Sequence, residues 1–238
     1  MRRLLLLSFA VLAGCSVTPP APEVLPPPEP QTIIIERSTI ERVVAVVQTV
    51  APVAEEMCTR RAPTLNCDFR IVVDETPNAP PNAFQTQDDE GRPIIAFTLA
   101  LIAEAQNSDE MAFIMSHEAA HHILGHIVRQ NENAMAGAQI LGGLASVLSG
   151  GREESIRAGV RLGAEIGART YSKDFELEAD AMGTVIAARA GFNPLRGAEF
   201  FFRIPDPGNQ FLGSHPANAD RLATVQRVAR QLQIVPQG

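Results

Sequence analysis

Ser116-His117-Glu118-Ala119-Ala120-His121 is an H-E-x-x-H motif, and the residues before it have the pattern of a helix for which Ser108 is the predicted N-cap. An α-helix makes about 3.6 residues per turn, so side chains four positions apart lie on one face. His117 and His121 could therefore direct both imidazoles at one metal ion, with Glu118 beside a metal-bound water. The alternative is a chance match, with histidines that only pack in an amphipathic helix.

The overall composition is that of a folded domain rather than a nucleic-acid-binding protein. The chain has 238 residues, 45% hydrophobic and 20% charged, so it can bury a core and is expected to form one domain of ordinary size. Its formal net charge is −7, whereas binding to phosphates needs clustered lysine and arginine. There is no tryptophan and only one tyrosine to stack on bases. We therefore expect no nucleic-acid partner.

The N-terminus has the features of a lipoprotein signal peptide. Arginines at positions 2 and 3 precede an apolar run, Leu4 to Leu12, that is too short to span a bilayer. The run ends in Leu12-Ala13-Gly14-Cys15, which resembles the bacterial lipobox. We expect residues 1–14 to be removed, Cys15 to be lipidated, and Ser16 to direct the protein to the periplasmic face of the outer membrane. The alternative is an ordinary secretory signal with an incidental cysteine.

The linker and the two remaining cysteines are also typical of an exported protein. Residues 16–31 contain seven prolines, so residues 15–31 are predicted to be a lipidated cysteine followed by a semi-extended linker. In an oxidising compartment Cys58 and Cys67 could form a disulfide that closes a short loop. A zinc site built from this pair is disfavoured, because its spacing is not C-x-x-C.

Periodicity and turn residues predict an α+β fold that is mainly helical, with a small antiparallel sheet. Apolar residues recur at three- and four-residue steps over about residues 32–57, which predicts a helix that Pro52 ends or kinks. A turn at Asp88–Gly91 predicts a hairpin. The predicted strands are Phe69–Val73, Phe84–Thr86 and Pro93–Thr98, and further helices are predicted at about 155–170, 175–190 and 217–233.

Residues 134–151 form an unusual stretch of eighteen residues without a charge, rich in glycine. The length reaches the lower bound for a membrane span, but the small residues and low apolarity weaken that interpretation. We expect instead a mobile or partly buried helical segment beside the active site, which could act as its gate.

A metal site needs a third protein ligand besides the two motif histidines. Among carboxylates, Glu176 and Asp180 stand out because they are four residues apart on a predicted helix and can face one site. Glu176 could bind the metal, and Asp180 could orient a ligand histidine from behind. The alternative is a solvated acidic helix face.

Taken together, four ordered motifs resemble metallopeptidase family forty-eight, which includes CAAX prenyl proteases and bacterial envelope proteases. They are the H-E-x-x-H motif, Asn82-Ala83-Phe84, the S-x-x-x-E-x-E-A-D pattern of residues 172–180, and the H-P-x-x-x-x-R pattern of residues 215–221. The resemblance implies a gluzincin-type zinc metallopeptidase domain over residues 32–238. It implies one Zn²⁺ per chain, held by His117, His121 and Glu176.

The resemblance also implies roles for other residues. Glu118 would be the general base that activates the zinc-bound water. His215 would either stabilise the oxyanion, with support from Arg221, or occupy the open zinc position as a latch. The strand Pro93–Thr98 could offer its edge to an extended substrate. His122 is expected to face away from the metal, His126 to lie behind the ligands or pack, and Arg129 to interact with the helix dipole.

The implied function is metalloendopeptidase activity on misfolded or misassembled proteins of the cell envelope, with protein and peptide substrates in the periplasm. One alternative is a latent, metal-bound chaperone or assembly factor for outer-membrane components. Another is a structural lipoprotein with vestigial motifs, which the retention of both histidines, Glu118 and Glu176 argues against.

Overall fold

The computed structural model describes residues 33–170, 172–203 and 216–234. The predicted signal peptide, Cys15, the linker and His215 lie outside these ranges. The strands are β1 (Arg70–Asp74), β2 (Ala83–Gln87) and β3 (Pro93–Thr98). The helices are α1 (Arg37–Arg61), α2 (Leu99–Glu104), α3 (Ser108–Ile123), α4 (His126–Ser149), α5 (Glu153–Arg169), α6 (Ser172–Arg189), α7 (Pro194–Gly197) and α8 (Asn218–Gln231), with a 3₁₀ helix at Ala198–Phe202.

The three strands form one mixed sheet in the order β1-β3-β2. The predicted hairpin is confirmed: β2 and β3 are antiparallel, and Gly91, with a φ of 77°, donates to the carbonyl oxygen of Asp88 at 3.0 Å in the turn. The expectation of a purely antiparallel sheet is wrong, because β1 runs parallel to β3. The hairpin occupies one edge of β3, so β1 pairs with the other.

This strand order also corrects the expected substrate edge. The strand Pro93–Thr98 is central and pairs on both sides, so it has no free edge to offer. The edge strands are β1 and β2, and β2 lines the groove above the motif helix. An extended peptide in that groove would therefore meet β2.

The motif helix α3 lies at the centre of the fold. Nearly all of its side chains are buried, and it packs between α1, α6 and the sheet. Its N-cap is Asn107 rather than the predicted Ser108: the side-chain oxygen of Asn107 accepts from the backbone N–H of Glu110 at 3.0 Å. Burial on all sides explains why α3 can hold polar side chains in fixed positions.

Helix α1 continues through Pro52 to Arg61, so of the two predicted effects of this proline, an end or a kink, the end is wrong. Pro52 is on the exposed side, while the apolar stripe that contains Val50 and Ala54 is buried before and after it. Cys58, in the last turn of α1, forms a disulfide with Cys67 in the loop that follows, with a Cα–Cα distance of 5.7 Å.

Residues 134–149 of the uncharged stretch lie in α4, which packs along α5 at glycines. A Cβ atom on Gly163 would overlap the carbonyl oxygen of Gly137, and one on Gly167 would overlap that of Asn133. The glycines therefore let two helix backbones touch. None of the helices in the described parts of the chain has the length and apolar character needed to cross a bilayer.

Candidate metal centre

The structure brings together the three residues predicted to bind the metal. The Nε2 atoms of His117 and His121 are 3.0 Å apart. Carboxylate oxygens of Glu176, on α6, lie 3.5 Å from Nε2 of His117 and 3.4 Å from Nε2 of His121. Two adjacent helices thus supply three donor atoms that surround one point.

The separations of these donor groups suit a zinc ion. With zinc–ligand distances of about 2.0–2.2 Å and tetrahedral angles, neighbouring donor atoms are about 3.3–3.5 Å apart. The two distances to Glu176, 3.5 Å from His117 to Oε2 and 3.4 Å from His121 to Oε1, lie in this range, and the 3.0 Å between the two imidazoles is slightly shorter. Two imidazoles and one carboxylate are also the donor set of many catalytic zinc sites, in which the fourth position is open. The residues present fit the metal.

A close contact between α3 and α6 sets the distance between the histidines and Glu176. A Cβ atom on Gly183 would lie 3.0 Å from both the backbone nitrogen and the Cα atom of His117. Gly183 is seven residues, about two turns, after Glu176, so both face α3. Sequence reasoning did not single out Gly183, since a lone glycine within a helix carries no metal-binding signal.

Asp180 and Arg221 support His117 from the side opposite its Nε2 atom. The fully buried Asp180 carboxylate is 2.9 Å from Nδ1 of His117, and Arg221 donates to both of its oxygens at 2.7 and 2.8 Å. The Arg221 guanidinium lies 4.0 Å from the centre of the Phe201 ring. Burial acts to raise the pKa of Asp180, but the hydrogen bonds and charge of Arg221 hold it below its ordinary value.

The site favours positive charge at the position of His117. Burial acts to lower the pKa of His117, but its hydrogen bonds to Asp180 and Glu176 outweigh burial and raise the pKa to about 10. Two carboxylates that stabilise a cation here suit a divalent metal ion.

His121 has a different set of partners. Its Nδ1 atom lies 2.8 Å from Nδ1 of His126, whose Nε2 atom is 3.2 Å from Glu178. Arg129 donates to Glu178 at 2.6 Å and lies 4.2 Å from the Phe175 ring centre. The expectation that Arg129 serves the helix dipole is therefore replaced by this ion pair. Sequence reasoning expected His126 either to lie behind the ligands or to pack, and it assigned no role to Glu178.

His122 faces away from the metal centre, as expected from the helix geometry. Its Nε2 atom donates to the carbonyl oxygen of Asn66 at 2.7 Å, and its Nδ1 atom is 3.1 Å from Nε2 of Gln87. It also packs edge-on against Phe69, with ring centres 5.4 Å apart. His122 therefore ties the motif helix to the sheet and to the loop after α1.

The donor atoms open into a groove of about 750 Å³. Glu118 lies in its wall beside His117 and His121 and is nine-tenths buried. The first turn of α4 contributes His126, Ile127 and Gln130, whereas no residue of the glycine-rich stretch 134–151 lines the groove. Further lining residues come from β2 and its approach, from α2 and from the 3₁₀ helix: Asn82, Gln85, Leu101, Phe200 and Phe201.

Fold and site together define a metallopeptidase-like domain of the H-E-x-x-H class, with its third ligand on a later helix. The sequence profile described as "Peptidase family M48" matches residues 42–229, and the chain belongs to this family of zinc metallopeptidases. This bears out the family that the sequence motifs predicted.

The chain is similar to several curated proteins over a little more than half of its length. A Vibrio cholerae relative is 30% identical over 149 residues, which are 58% of this chain and 31% of the relative. The beta-barrel assembly-enhancing protease of Escherichia coli (strain K12) is 27% identical over 145 residues, 56% of this chain and 30% of that protein. The Yersinia pestis protein of that name is 26% identical over 149 residues, 58% of this chain and 31% of its own. The chain therefore spans less than a third of the length of these relatives.

Proposed function

We propose that this protein is a zinc-dependent endopeptidase of the bacterial cell envelope. The observation that carries the proposal is the triangle of His117, His121 and Glu176 donor atoms at zinc-ligand separations, with Glu118 in the same groove. No nucleophilic serine or cysteine is needed, since a bound zinc ion would lower the pKa of its water to about 7.

In this proposal Glu118 is the general base. Its carboxylate accepts the proton of the attacking water and then passes it to the leaving amine. Glu118 is nine-tenths buried and lines the groove into which the donor atoms open. Arg221 already donates to both oxygens of Asp180, so we assign it to holding His117 rather than to contacting substrate. His215 remains the proposed oxyanion donor, or alternatively a latch.

We further propose that a substrate peptide pairs with the edge of β2. The backbone N–H of Thr98 donates to the carbonyl oxygen of Asn82 at 3.0 Å, and the backbone N–H of Asp88 donates to the carbonyl oxygen of Arg92 at 3.1 Å. In an antiparallel pair every second residue bonds to the partner strand, so the even-numbered residues of β2 direct their backbone N–H and C=O groups toward β3. The backbone N–H and C=O of Gln85 consequently point to the open edge. Gln85 lines the groove, so an extended peptide bonded there would pass the metal centre.

We place the protein at the periplasmic face of the outer membrane, with residues 1–14 as signal peptide, Cys15 as the lipidated residue, 15–31 as linker and 32–238 as catalytic domain. The lipobox and the Cys58–Cys67 disulfide support export to an oxidising compartment. The names of the relatives support a role with envelope proteins, and we propose misfolded or misassembled members of that class as substrates.

A second proposal is a latent metal-bound assembly factor for outer-membrane components. The name of the Escherichia coli relative, beta-barrel assembly-enhancing protease, couples assembly with proteolysis and supports this second proposal. It differs from the first proposal in that a catalytically dead variant would still perform the biological role.

Glu118→Gln separates the two proposals. We expect the variant to hold as much zinc as the wild-type protein but to lose cleavage of casein, because the amide cannot accept the proton. Glu132→Gln, at an exposed position of α4, is the matched control and should keep both properties. Absence of cleavage by the wild-type protein, together with full complementation by Glu118→Gln in cells, would refute the protease and favour the assembly factor.

A further inference from the structure

His126 and Glu178 connect the proposed metal ligand His121 to the protein surface. The His126 side chain is 4% exposed, whereas that of Glu178 is 43% exposed. Gly125, with a φ of 67°, reverses the chain between α3 and α4, and this places His126 at the start of α4 against the ring of His121. His126 is further fixed by stacking on Phe175, with ring centres 4.7 Å apart and an interplanar angle of 12°.

The direction of the hydrogen bonds follows from the chemistry of the last group. The Glu178 carboxylate can only accept, so the proton between it and His126 lies on Nε2 of His126, 3.2 Å away. A neutral His126 then has a lone pair at Nδ1. Nδ1 of His121, 2.8 Å away, must therefore carry a proton and donate it. The remaining lone pair of His121 lies on Nε2, the atom that faces Glu176 and His117.

Arg129 fixes the outer end of this series. It donates to the two oxygens of Glu178 at 2.6 and 3.4 Å and thereby holds the carboxylate in place. Without it, a partly exposed glutamate would rotate among several positions. The Arg129–Glu178 pair therefore defines where the His126 proton points.

We propose that His126 and Glu178 are positioning residues of the metal centre, which hold His121 in the tautomer and orientation that present Nε2 to the ion. This proposal rests on the proposed zinc site. The two ligand histidines are then supported in different ways. His117 bonds directly to the buried carboxylate of Asp180, whereas His121 bonds to a neutral imidazole that a more exposed carboxylate orients.

The test measures metal affinity rather than peptidase activity. In His126→Leu we expect the dissociation constant for zinc to rise about 10- to 100-fold, as is usual when the partner of a ligand histidine is lost. His126→Gln keeps a side-chain acceptor for the N–H of His121 and should recover most of the affinity. Glu178→Ala should weaken zinc binding less than His126→Leu, and Glu132→Ala should not change it.

Competition with a chromophoric chelator would give the zinc affinities, and the visible absorption spectrum of the cobalt-substituted protein would report the ligand geometry. We expect the spectrum of His126→Leu to differ from that of the wild-type protein and that of His126→Gln to resemble it. Thermal unfolding of the metal-free variants would show whether each one is folded.

Two results from the variants would overturn the proposal. One is wild-type zinc affinity and an unchanged cobalt spectrum in a folded His126→Leu. The other is equal loss of zinc in the Leu and Gln variants with equal loss of metal-free stability, which would mean that His126 only packs. A wild-type protein that binds zinc tightly but cleaves no peptide would refute the proposed protease and leave the positioning role standing. A wild-type protein that binds no zinc would refute both.

Discussion

Replacement of Gly163 by alanine should destabilise the protein, although alanine is the better helix former. Gly163 lies in α5, where an added Cβ would overlap the carbonyl oxygen of Gly137 and come within 3.0 Å of the Cα atom of Ala138. Both neighbours are backbone atoms of α4, so no side-chain rotation can make room. The two helices would have to move apart along their contact.

The magnitude follows from two opposing contributions. Glycine to alanine within a helix stabilises by about 0.8–1.0 kcal/mol. Overpacking a tight contact costs about 1–3 kcal/mol, so the net effect of Gly163→Ala should be a loss of about 1 kcal/mol. Gly143→Ala is the matched control, because this helical glycine has nothing within 4 Å of its added Cβ. It should be stabilised by about 1 kcal/mol.

Thermal and urea unfolding of the zinc-loaded proteins would measure the difference. About 1 kcal/mol corresponds to a change in Tm of about 2–4 °C in a domain of this size, so the two variants should fall on opposite sides of the wild-type protein. Gly163→Ala with a Tm equal to or above that of Gly143→Ala would refute the close backbone contact between α4 and α5.

Three further predictions concern the site. Removal of zinc with a chelator should lower Tm, because zinc at 1,000 times its dissociation constant adds about 4 kcal/mol to the free energy of unfolding. A Tm that the chelator leaves unchanged would contradict the proposal that zinc binds here. The pKa of Asp180 is held down in the folded state, so its contribution to stability is present above the unfolded pKa of about 3.9 and is lost as pH falls through the lower folded value. In acid titrations followed by unfolding, the metal-free wild-type protein should lose more stability below about pH 4 than Asp180→Asn does, and equal losses would count against the Arg221 pair. Gln85→Pro removes the backbone N–H at the open edge of β2 without breaking the hydrogen bonds between β2 and β3. This variant should have a higher KM for an extended peptide and an unchanged zinc content, and an unchanged KM would exclude pairing at that edge.

Local patterns in the sequence predicted the helices and the hairpin well. The periodicity of α3 and the turn before Gly91 depend on residues close together in the chain, so the pattern carries the information. The parallel pairing of β1 with β3 could not be predicted in this way, because β2 lies between them in the sequence. No local feature of the sequence indicates whether β1 pairs with the free edge of β2 or with that of β3. The continuation of α1 through Pro52 likewise depends on packing against α3, not on helix propensity.

The site shows the same division. The i and i+4 spacing predicts that His117 and His121 share a face, and the second acidic motif predicts Glu176 as their partner. The role of Glu178 could not be predicted from spacing, since its partners Arg129 and His126 lie about fifty residues earlier on another helix. Its acidic neighbours made it look like part of a solvated surface.

The disulfide between Cys58, in the last turn of α1, and Cys67 links formation of the proposed metal centre to the redox state of the compartment. Cys67 follows Asn66, whose carbonyl oxygen accepts the hydrogen bond of His122, the neighbour of His121. In a reducing compartment the segment from Cys58 to Asn66 would lose this covalent link, and the hydrogen bond from His122 to Asn66 would depend on a less constrained loop. For a chain exported as proposed above, the support behind the proposed metal centre would thus be weakest before export. Formation of the disulfide in the oxidising compartment would then complete that support.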